Sequence, residues 1–407
     1  MSPWNEKTLT DLGSVSRGKS RHRPRNADFL YGGKYPFIQT SDVKNANFYI
    51  TEYSQTYSED GLKQSKLWHK ETLCITIAAN IADTGILGID ACFPDSIIGF
   101  VAYDKVSDVR FVKYCFDLLQ REIKQISQGA AQDNLSMEKL ATIKFNVPDY
   151  RTQKRIACIL SAYDDLIENN SKRIKLLEEI AQRTYEEWFV KYRINGEQLP
   201  IDDATGLPFG WEFKKAEQLF NIKIGKTPPR EQENWFRTDS EGIKWASIKD
   251  INNASVFISN TSERITNLGV EKFNMNVAQR GTVILSFKLT VGKVTILTED
   301  MVTNEAIAHF NYTKDCIFDK SFIYIYLKRF NYHSLGSTSS IGTAINSKIV
   351  KAMPFLVPDI ISLNLYQEFA NPLFNQIEQI LNINLLLKQS RDILLPRLMS
   401  GTINVES

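Results

Sequence analysis

Along two stretches of this chain the apolar residues recur at a spacing that only a helix can bring to one face. Ile156, Leu160, Tyr163, Ile167, Asn170, Ile174, Leu177, Ala181, Thr184 and Trp188 alternate steps of four and three, an a/d register held for more than four heptads. Tyr366, Ala370, Leu373, Ile377, Ile380, Asn384, Leu387, Arg391, Leu394 and Leu398 repeat it. Each stretch predicts a helix of about 35–40 residues, roughly 55 Å long at 1.5 Å per residue. A stripe of this kind must be buried, and its copy offers the matching surface, so an antiparallel coiled coil is expected. Asn170 and Asn384 fall on the seam, where an amide either fixes the register or faces solvent at a frayed edge. Pro372 and Pro396 are expected to kink the second helix near its ends.

Elsewhere the period is two. Tyr35-Pro-Phe-Ile-Gln-Thr, Thr72-Leu-Cys-Ile-Thr-Ile, Gly281-Thr-Val-Ile-Leu-Ser-Phe and Lys293-Val-Thr-Ile-Leu read as short strands between Gly, Asn, Asp and Ser clusters. Helical stretches near 110–127 and 319–333 interrupt them. The chain is written twice. Trp4, Leu12, Gly18 and Lys19 return as Trp211, Leu219, Gly225 and Lys226 after 207 residues, and Asp42 and Asn45 as Asp250 and Asn253 after 208. Thr72, Phe145, Val147, Pro148, Asp149, Ile167, Glu168 and Leu177 return as Thr282, Phe355, Val357, Pro358, Asp359, Ile377, Glu378 and Leu387 after 210. The expected fold is α+β, with two duplicated α+β globules separated by two long helices about a pseudo-twofold axis. The boundaries are a first globule at 1–150, a helix at 151–193, a Gly/Pro-containing linker with the second globule at 194–360, and a second helix at 361–407.

Composition narrows the function without naming it. Forty-nine Lys and Arg against 47 Asp and Glu give a net charge of +2, so a polyanion would have to be met by local clustering. The most apolar stretch, 72–103, is broken by Asn80, Asp83, Gly85, Asp90 and Pro94, which argues against a membrane span. The first residues lack a signal-peptide pattern, so a cytoplasmic location is expected. Five dispersed cysteines and four dispersed histidines show no metal-ligand spacing, and no metal site is assigned.

Gly13-Ser-Val-Ser-Arg-Gly18-Lys19-Ser20 satisfies the phosphate-loop pattern, which would make the chain a nucleotide hydrolase acting through Lys19. That mechanism needs a helix directly after the loop, and Pro24 here and Pro228-Pro229 in the second copy oppose one. A better reading takes Arg17, Lys19, Arg21, Arg23 and Arg25, five cations in nine residues, as phosphate contacts, with Lys223, Lys226 and Arg230 in the matching place. Base-reading candidates are Gln39, Thr40, Ser41 and Lys44, with Lys244, Ser247 and Lys249 as their counterparts. Asn80 and Lys288 follow corresponding strands, and Gln128, Gln132, Asn134, Thr338 and Ser339 lie on polar loops before the Val-Pro-Asp runs. No catalytic residues are assigned: Asn146-Val-Pro-Asp-Tyr150 misplaces the prolines of an adenine methyltransferase motif, and no glycine-rich cofactor loop follows a strand. A coiled-coil scaffold with two protein-binding heads is the remaining alternative.

Trp4 and Trp211, the Gly-Lys-Ser and Gly-Lys-Thr-Pro loops, Thr205-Gly-Leu-Pro-Phe-Gly-Trp211, the run from Gln153 to Glu168 and Leu394-Leu-Pro-Arg-Leu-Met-Ser-Gly-Thr-Ile together resemble the specificity subunit of type I restriction-modification systems, over essentially the whole chain. The resemblance implies two target-recognition domains, each reading one half of a bipartite site on double-stranded DNA. It implies paired helices that set the spacer between the halves and dock two methyltransferase subunits. Two restriction subunits would join them, with no membrane partner. The chain would bind no cofactor itself; S-adenosylmethionine, ATP and Mg2+ would serve the other subunits. Arg391 and Asn384 on the seam, and Leu363-Asn-Leu in place of Gln153-Lys-Arg, depart from the pattern, and the second helix is expected to pack differently at its start.

Overall fold

The computed structural model of the chain describes residues 4–21, 27–77, 83–126, 137–231, 233–288, 290–335 and 345–405. It divides into two compact units, Met1–Ser171 with Ile383–Ser407, and Lys172–Asn382. Each holds one globule and a segment of each long helix.

In the first unit a five-stranded sheet runs in the order Gly13–Arg17, Ile97–Ala102, Leu73–Thr76, Thr84–Leu87, Tyr49–Ile50. In the second the order is Phe220–Ile224, Ile307–Tyr312, Val283–Ser286, Val294–Leu297, Phe257–Ile258. In both sheets the last pair is parallel and the rest antiparallel. A second, four-stranded sheet accompanies each: Gln55–Tyr57, Tyr31–Phe37, Ala91–Cys92, Leu67–Trp68 in one, and Phe236–Arg237, Glu263–Ile265, Ile243–Ala246, Val302–Thr303 in the other. The α+β duplication read from the sequence is therefore the architecture.

The central strands are buried on both faces, which is why they read as unbroken apolar runs rather than alternating ones. Leu73 and Ile75 face the helix Val109–Ile126 through Phe111, Val112, Cys115 and Phe116, while Cys74 packs with Trp68, Phe93 and Ile97. Val283 and Leu285 likewise join the cluster beneath the helix Lys320–Arg329, and Ile284 joins Ala246, Leu297 and Ile307.

The long helices are Tyr150–Phe189 and Ile360–Met399, 40 residues each and 210 apart residue for residue. They start where they do because Asp149 and Asp359 cap them. Asp149 Oδ1 accepts the Thr152 amide at 3.0 Å, and Asp359 Oδ1 accepts the Ile361 and Ser362 amides at 3.0 Å. The repeated Val-Pro-Asp is thus a strand end followed by a cap. The second helix continues unbroken through Pro372 and Pro396, both exposed, so neither proline ends it as a helix breaker would.

Within the first unit, Ile156, Ala157 and Leu160 share a core with Leu395, Leu398 and Met399. Asp164 pairs with Arg391 and Asn170 with Asn384, so these helix segments run antiparallel. Within the second, Ile174, Leu177, Ala181, Tyr185 and Phe189 pack with Tyr366, Ala370, Phe374, Ile377 and Ile380, and the Tyr366 hydroxyl donates to the Ala181 carbonyl at 3.1 Å. The strict heptad holds at Ile156, Leu160, Tyr366, Ala370 and Leu398 and is corrected at several other positions. Tyr163, Thr184, Trp188, Leu373, Leu387 and Leu394 are only half-buried, and Asp164, Tyr185, Phe189, Phe374 and Leu395 take the inward positions. There each helix packs on a globule as well as on its partner segment, and the wider contact follows the natural 3.6-residue turn instead of the 3.5 of a two-helix seam.

The linker carries structure of its own: two hairpins, Arg193–Ile194 with Glu197–Gln198 and Ile201–Asp202 with Leu207–Pro208, turning through Gly196 and Gly206 at positive φ. Trp211 then enters the core and its Nε1 donates to Asp359 Oδ2 at 2.8 Å. Asp359 therefore both caps a helix and holds Trp211. Asp359→Ala is expected to destabilise the chain by roughly 1–2 kcal/mol, with Asp359→Asn recovering part of it; denaturant unfolding monitored by tryptophan fluorescence checks this.

Candidate nucleic-acid interface

The basic segment of the first unit leaves the sheet at Arg17. The Gly18 amide donates to the Ile97 carbonyl at 2.8 Å and the Lys19 amide to the Phe93 carbonyl at 3.0 Å. Gly18 is required by this close approach, since a Cβ there would stand 2.3 Å from the Pro94 carbonyl oxygen. Ser20 bridges Ser65, the Ser65 hydroxyl donates to the Lys19 carbonyl at 2.6 Å, and the Arg21 amide to the Gln64 carbonyl. With the backbone so fixed, the side chains of Arg17, Lys19 and Arg21 project into solvent. Arg23 and Arg25 lie outside the described residues. The Ser20–Ser65 bridge brings in a cation that sequence reading missed: Lys66, whose Nζ stands 3.6 Å over the Trp68 ring. Only the fold joins residues so far apart in the chain, and the second copy has no equivalent bridge among its described residues to hint at it.

The backbone of the second unit repeats this. The Gly225 amide donates to the Ile307 carbonyl at 3.0 Å and the Lys226 amide to the Thr303 carbonyl at 2.8 Å. A Cβ on Gly225 would meet the Asn304 carbonyl at 2.2 Å. In both loops the amides that a phosphate loop would offer a nucleotide are spent inside the protein, which weakens the hydrolase reading further.

The side chains diverge. Lys226 Nζ donates to the Phe273 and Asn274 carbonyls at 3.1 and 2.7 Å. Arg230 makes a two-pronged pair with Glu263 at 2.7 and 2.9 Å while stacking 3.9 Å from the Phe236 ring. Lys244 is held by the Ser259 carbonyl and Glu299, at 2.5 and 2.6 Å. These three cations are paired within the unit, although Lys226 and Arg230 remain exposed; Lys223, Lys249 and Lys288 are exposed as well.

Gln39 and Ser247 precede equivalent short helices, Thr40–Asn45 and Ile248–Asn253. Asp42 accepts the Gln39 amide at 2.8 Å and Asp250 the Ser247 amide at 2.9 Å, so the repeated Asp is a helix-start device. Ser247 is used in its own cap, and Gln39 Nε2 donates to Gln55 at 3.1 Å. Thr40 is half-buried; Ser41 and Lys44 are exposed. Asn80, Gln128, Gln132, Asn134, Thr338 and Ser339 lie outside the described residues. Among the described residues no group of His, Cys, Asp and Glu could hold a metal ion, and no helix is long and apolar enough to cross a membrane.

Behind the second loop sits a buried histidine. His309 is fully enclosed, with Nε2 2.6 Å from the Thr303 hydroxyl and Nδ1 without a hydrogen-bond partner among the described residues. Burial lowers its pKa from 6.5 to about 4, so the imidazole is neutral in the folded protein. Thr303 also supplies the carbonyl that holds the Lys226 amide, so the histidine packs directly behind the loop.

Fold and site together define a tandem α+β protein in which each globule sends a Gly-Lys segment off the same edge of its sheet. The family model of the type I restriction modification DNA specificity domain matches residues 1–179 and 208–363, and the chain belongs to that family of specificity subunits. It is 24% identical to the type I restriction enzyme MjaIX specificity subunit of Methanocaldococcus jannaschii, over 99% of this chain and 94% of that one. It is also 24% identical to the type I restriction enzyme HindI specificity subunit of Haemophilus influenzae, over 99% of this chain and the whole of the other. Among solved structures, the type I restriction-modification S subunit from M. genitalium shares the fold at a TM-score of 0.53 and 15% identity, covering 98% of this chain and 96% of that one.

His309 gives the second unit an acid sensitivity. Its folded pKa lies below its unfolded one, so its contribution is complete above about pH 6.5 and is lost as pH falls toward 4, at most about 3 kcal/mol. The melting temperature is expected to drop between pH 7 and pH 5 in the unaltered chain and to drop less in His309→Gln.

Proposed function

We propose that the chain is the addressing subunit of a type I restriction-modification enzyme, each globule reading one half of a bipartite site on double-stranded DNA. The two long helices set the spacer between the halves and dock two methyltransferase subunits. The chain contributes no catalytic residues; partner subunits supply methyl transfer from S-adenosylmethionine, and two restriction subunits supply ATP- and Mg2+-dependent translocation and cleavage.

The observation that carries this reading is the doubling of one globule, sheet order and Gly-Lys strand exit included, in a chain whose two family matches fall one on each copy. A protein that reads one continuous site has no need of two such globules. The exposed Arg17, Lys19 and Arg21, with Lys66 beside them, are the phosphate-contacting group of the first globule. Lys223, Lys249 and Lys288 serve the second. Phosphate contacts position a protein without specifying sequence, so base reading falls to the polar side chains of the intervening loops.

Docking is supported by apolar side chains left open at equivalent helix positions. In the first unit Ile159 and Leu386 are 39% and 61% exposed; in the second their counterparts Phe369 and Leu176 are 39% and 59% exposed. An apolar face repeated with the same exposure fits two copies of one partner better than two different partners.

Lys19→Ala with Arg21→Ala is expected to weaken binding to every DNA sequence alike and to reduce the slope of log affinity against log salt by about 1–2. Adenine-methylation mapping in cells carrying the variant should return an unchanged motif, whereas Ser41→Ala with Lys44→Ala should alter one half of it only. A change in both halves would sink the one-globule, one-half assignment. Leu176→Lys with Leu386→Lys is expected to reduce co-purification of the methyltransferase subunit while leaving the melting temperature nearly unchanged, because both side chains already face solvent.

A further inference from the structure

The long helices repeat residue for residue after 210, so every contact between helix segments in the first unit has a counterpart in the second. Two of these contacts are polar in one unit and apolar in the other. In the first unit Asp164, 2% exposed, pairs with Arg391 and accepts the hydroxyl of the fully buried Tyr114, and Asn170 Nδ2 donates to Asn384 Oδ1 at 2.7 Å. In the second, the counterparts of Asp164 and Arg391 are Phe374 and Ala181, and those of Asn170 and Asn384 are Ile380 and Ile174. All four are buried in one apolar cluster.

The globule side follows the same division. Tyr324 is the counterpart of Tyr114, but Phe374 gives it no acceptor. Its ring instead meets Phe374 edge to face at 5.5 Å, and its hydroxyl reaches Glu178 at 2.8 Å, where Lys328 also binds. Glu178 in turn has Lys388 as its counterpart, a base in place of an acid.

We infer that the helix seam is a pairing code: each half of the chain is matched to the other half and mismatched to a second copy of itself. If two first halves paired, Asp164 would lie opposite Ala181 and Asn170 opposite Ile174, leaving a buried acid with the Tyr114 hydroxyl but no base, and an amide with no amide to meet it. If two second halves paired, Arg391 would lie opposite Phe374, Asn384 opposite Ile380, and Lys388 beside Lys328. Buried polar groups deprived of their partners are far more costly than the same groups paired, so the code works by penalising the wrong pairing more than by strengthening the right one. Self-pairing is a real alternative for such a chain, because a duplicated stripe of leucine and isoleucine alone fits its own copy as well as its neighbour. The inference does not depend on what the globules bind.

Each wrong pairing can be built one contact at a time in the intact chain. Arg391→Ala and Asn384→Ile reproduce the contacts of two first halves; Ala181→Arg and Ile174→Asn reproduce those of two second halves. Each is expected to lower the melting temperature, Arg391→Ala and Ala181→Arg by roughly 5–10 °C. Asp164→Phe with Arg391→Ala, which installs the second unit's contact in the first, should recover most of the loss. Phe374→Asp with Ala181→Arg is the reverse transplant; should it fail to fold, the Asp164→Phe pair still decides. The quadruple variant Asp164→Phe, Asn170→Ile, Asn384→Ile, Arg391→Ala makes the seam apolar throughout, and sedimentation should show it self-associating at concentrations where the unaltered chain does so less. Unchanged melting of the single variants, absence of recovery in the first double variant, or a quadruple variant that associates no more than the unaltered chain would each overturn the code.

Discussion

A 40-residue helix with one apolar stripe cannot stand alone in water, and in both units that stripe is covered by a segment of the other long helix and by the globule's own helix. This three-way burial governs the rest. It sets the direction of the helix segments, carries the strand pairs Asn5–Thr8 with Lys144–Val147 and Glu212–Lys215 with Pro354–Val357 to the base of each globule, and fixes where the helices must begin. The carboxylates of Asp149 and Asp359 accept first-turn amides that have no partner within the helix. Trp211, bonded to the cap it packs beside, ties the hairpin linker to the same point.

The helices, the duplication and the α+β character were legible in the sequence because each rests on periodicity, and periodicity survives wherever a surface is buried on one side. Most of the seam was legible, and part of it was not. Ile167, Ile174, Leu177, Ile377 and Ile380 sit where the heptad puts them, but Asp164 displaces Tyr163 and Tyr185 displaces Thr184. An acid reads as a solvent-facing residue until its partner is known, and Arg391, 227 residues further on, is not a partner any local pattern can supply. Burial lifts the Asp164 carboxyl above its usual range while Arg391 and the Tyr114 hydroxyl oppose that shift, the signature of a charge held inside by its neighbours.

The candidate interface was legible as a place and less so as a set of side chains. Gly18-Lys19 and Gly225-Lys226 do leave equivalent strands, because the close approach of a neighbouring carbonyl admits only glycine in both. What the sequence could not show was which cations are already paired within their own unit. Lys226, Arg230 and Lys244 look as available as Lys19 on paper, yet each is held by carbonyls or carboxylates of its own unit. Their partners, Phe273, Glu263 and Glu299, lie far from them in the chain. The repeated Asp42 and Asp250, which lie beside the candidate base readers, serve the start of a short helix in each unit.

Duplication explains why these errors fall where they do. Two copies of one globule are free to drift wherever the side chain meets solvent or a ligand, so the loops keep their backbone hydrogen bonds and exchange their charges. The seam has less freedom, because a change on one helix is felt by the segment packed against it. Its differences are therefore paired: an acid at Asp164 stands with a base at Arg391, and an amide at Asn170 with an amide at Asn384, while the second unit holds apolar residues at both corresponding contacts. A seam that had remained symmetric would keep the two copies interchangeable. Coordinated divergence makes them distinct, because a contact that is satisfied within one unit loses its partner when a half meets its own copy.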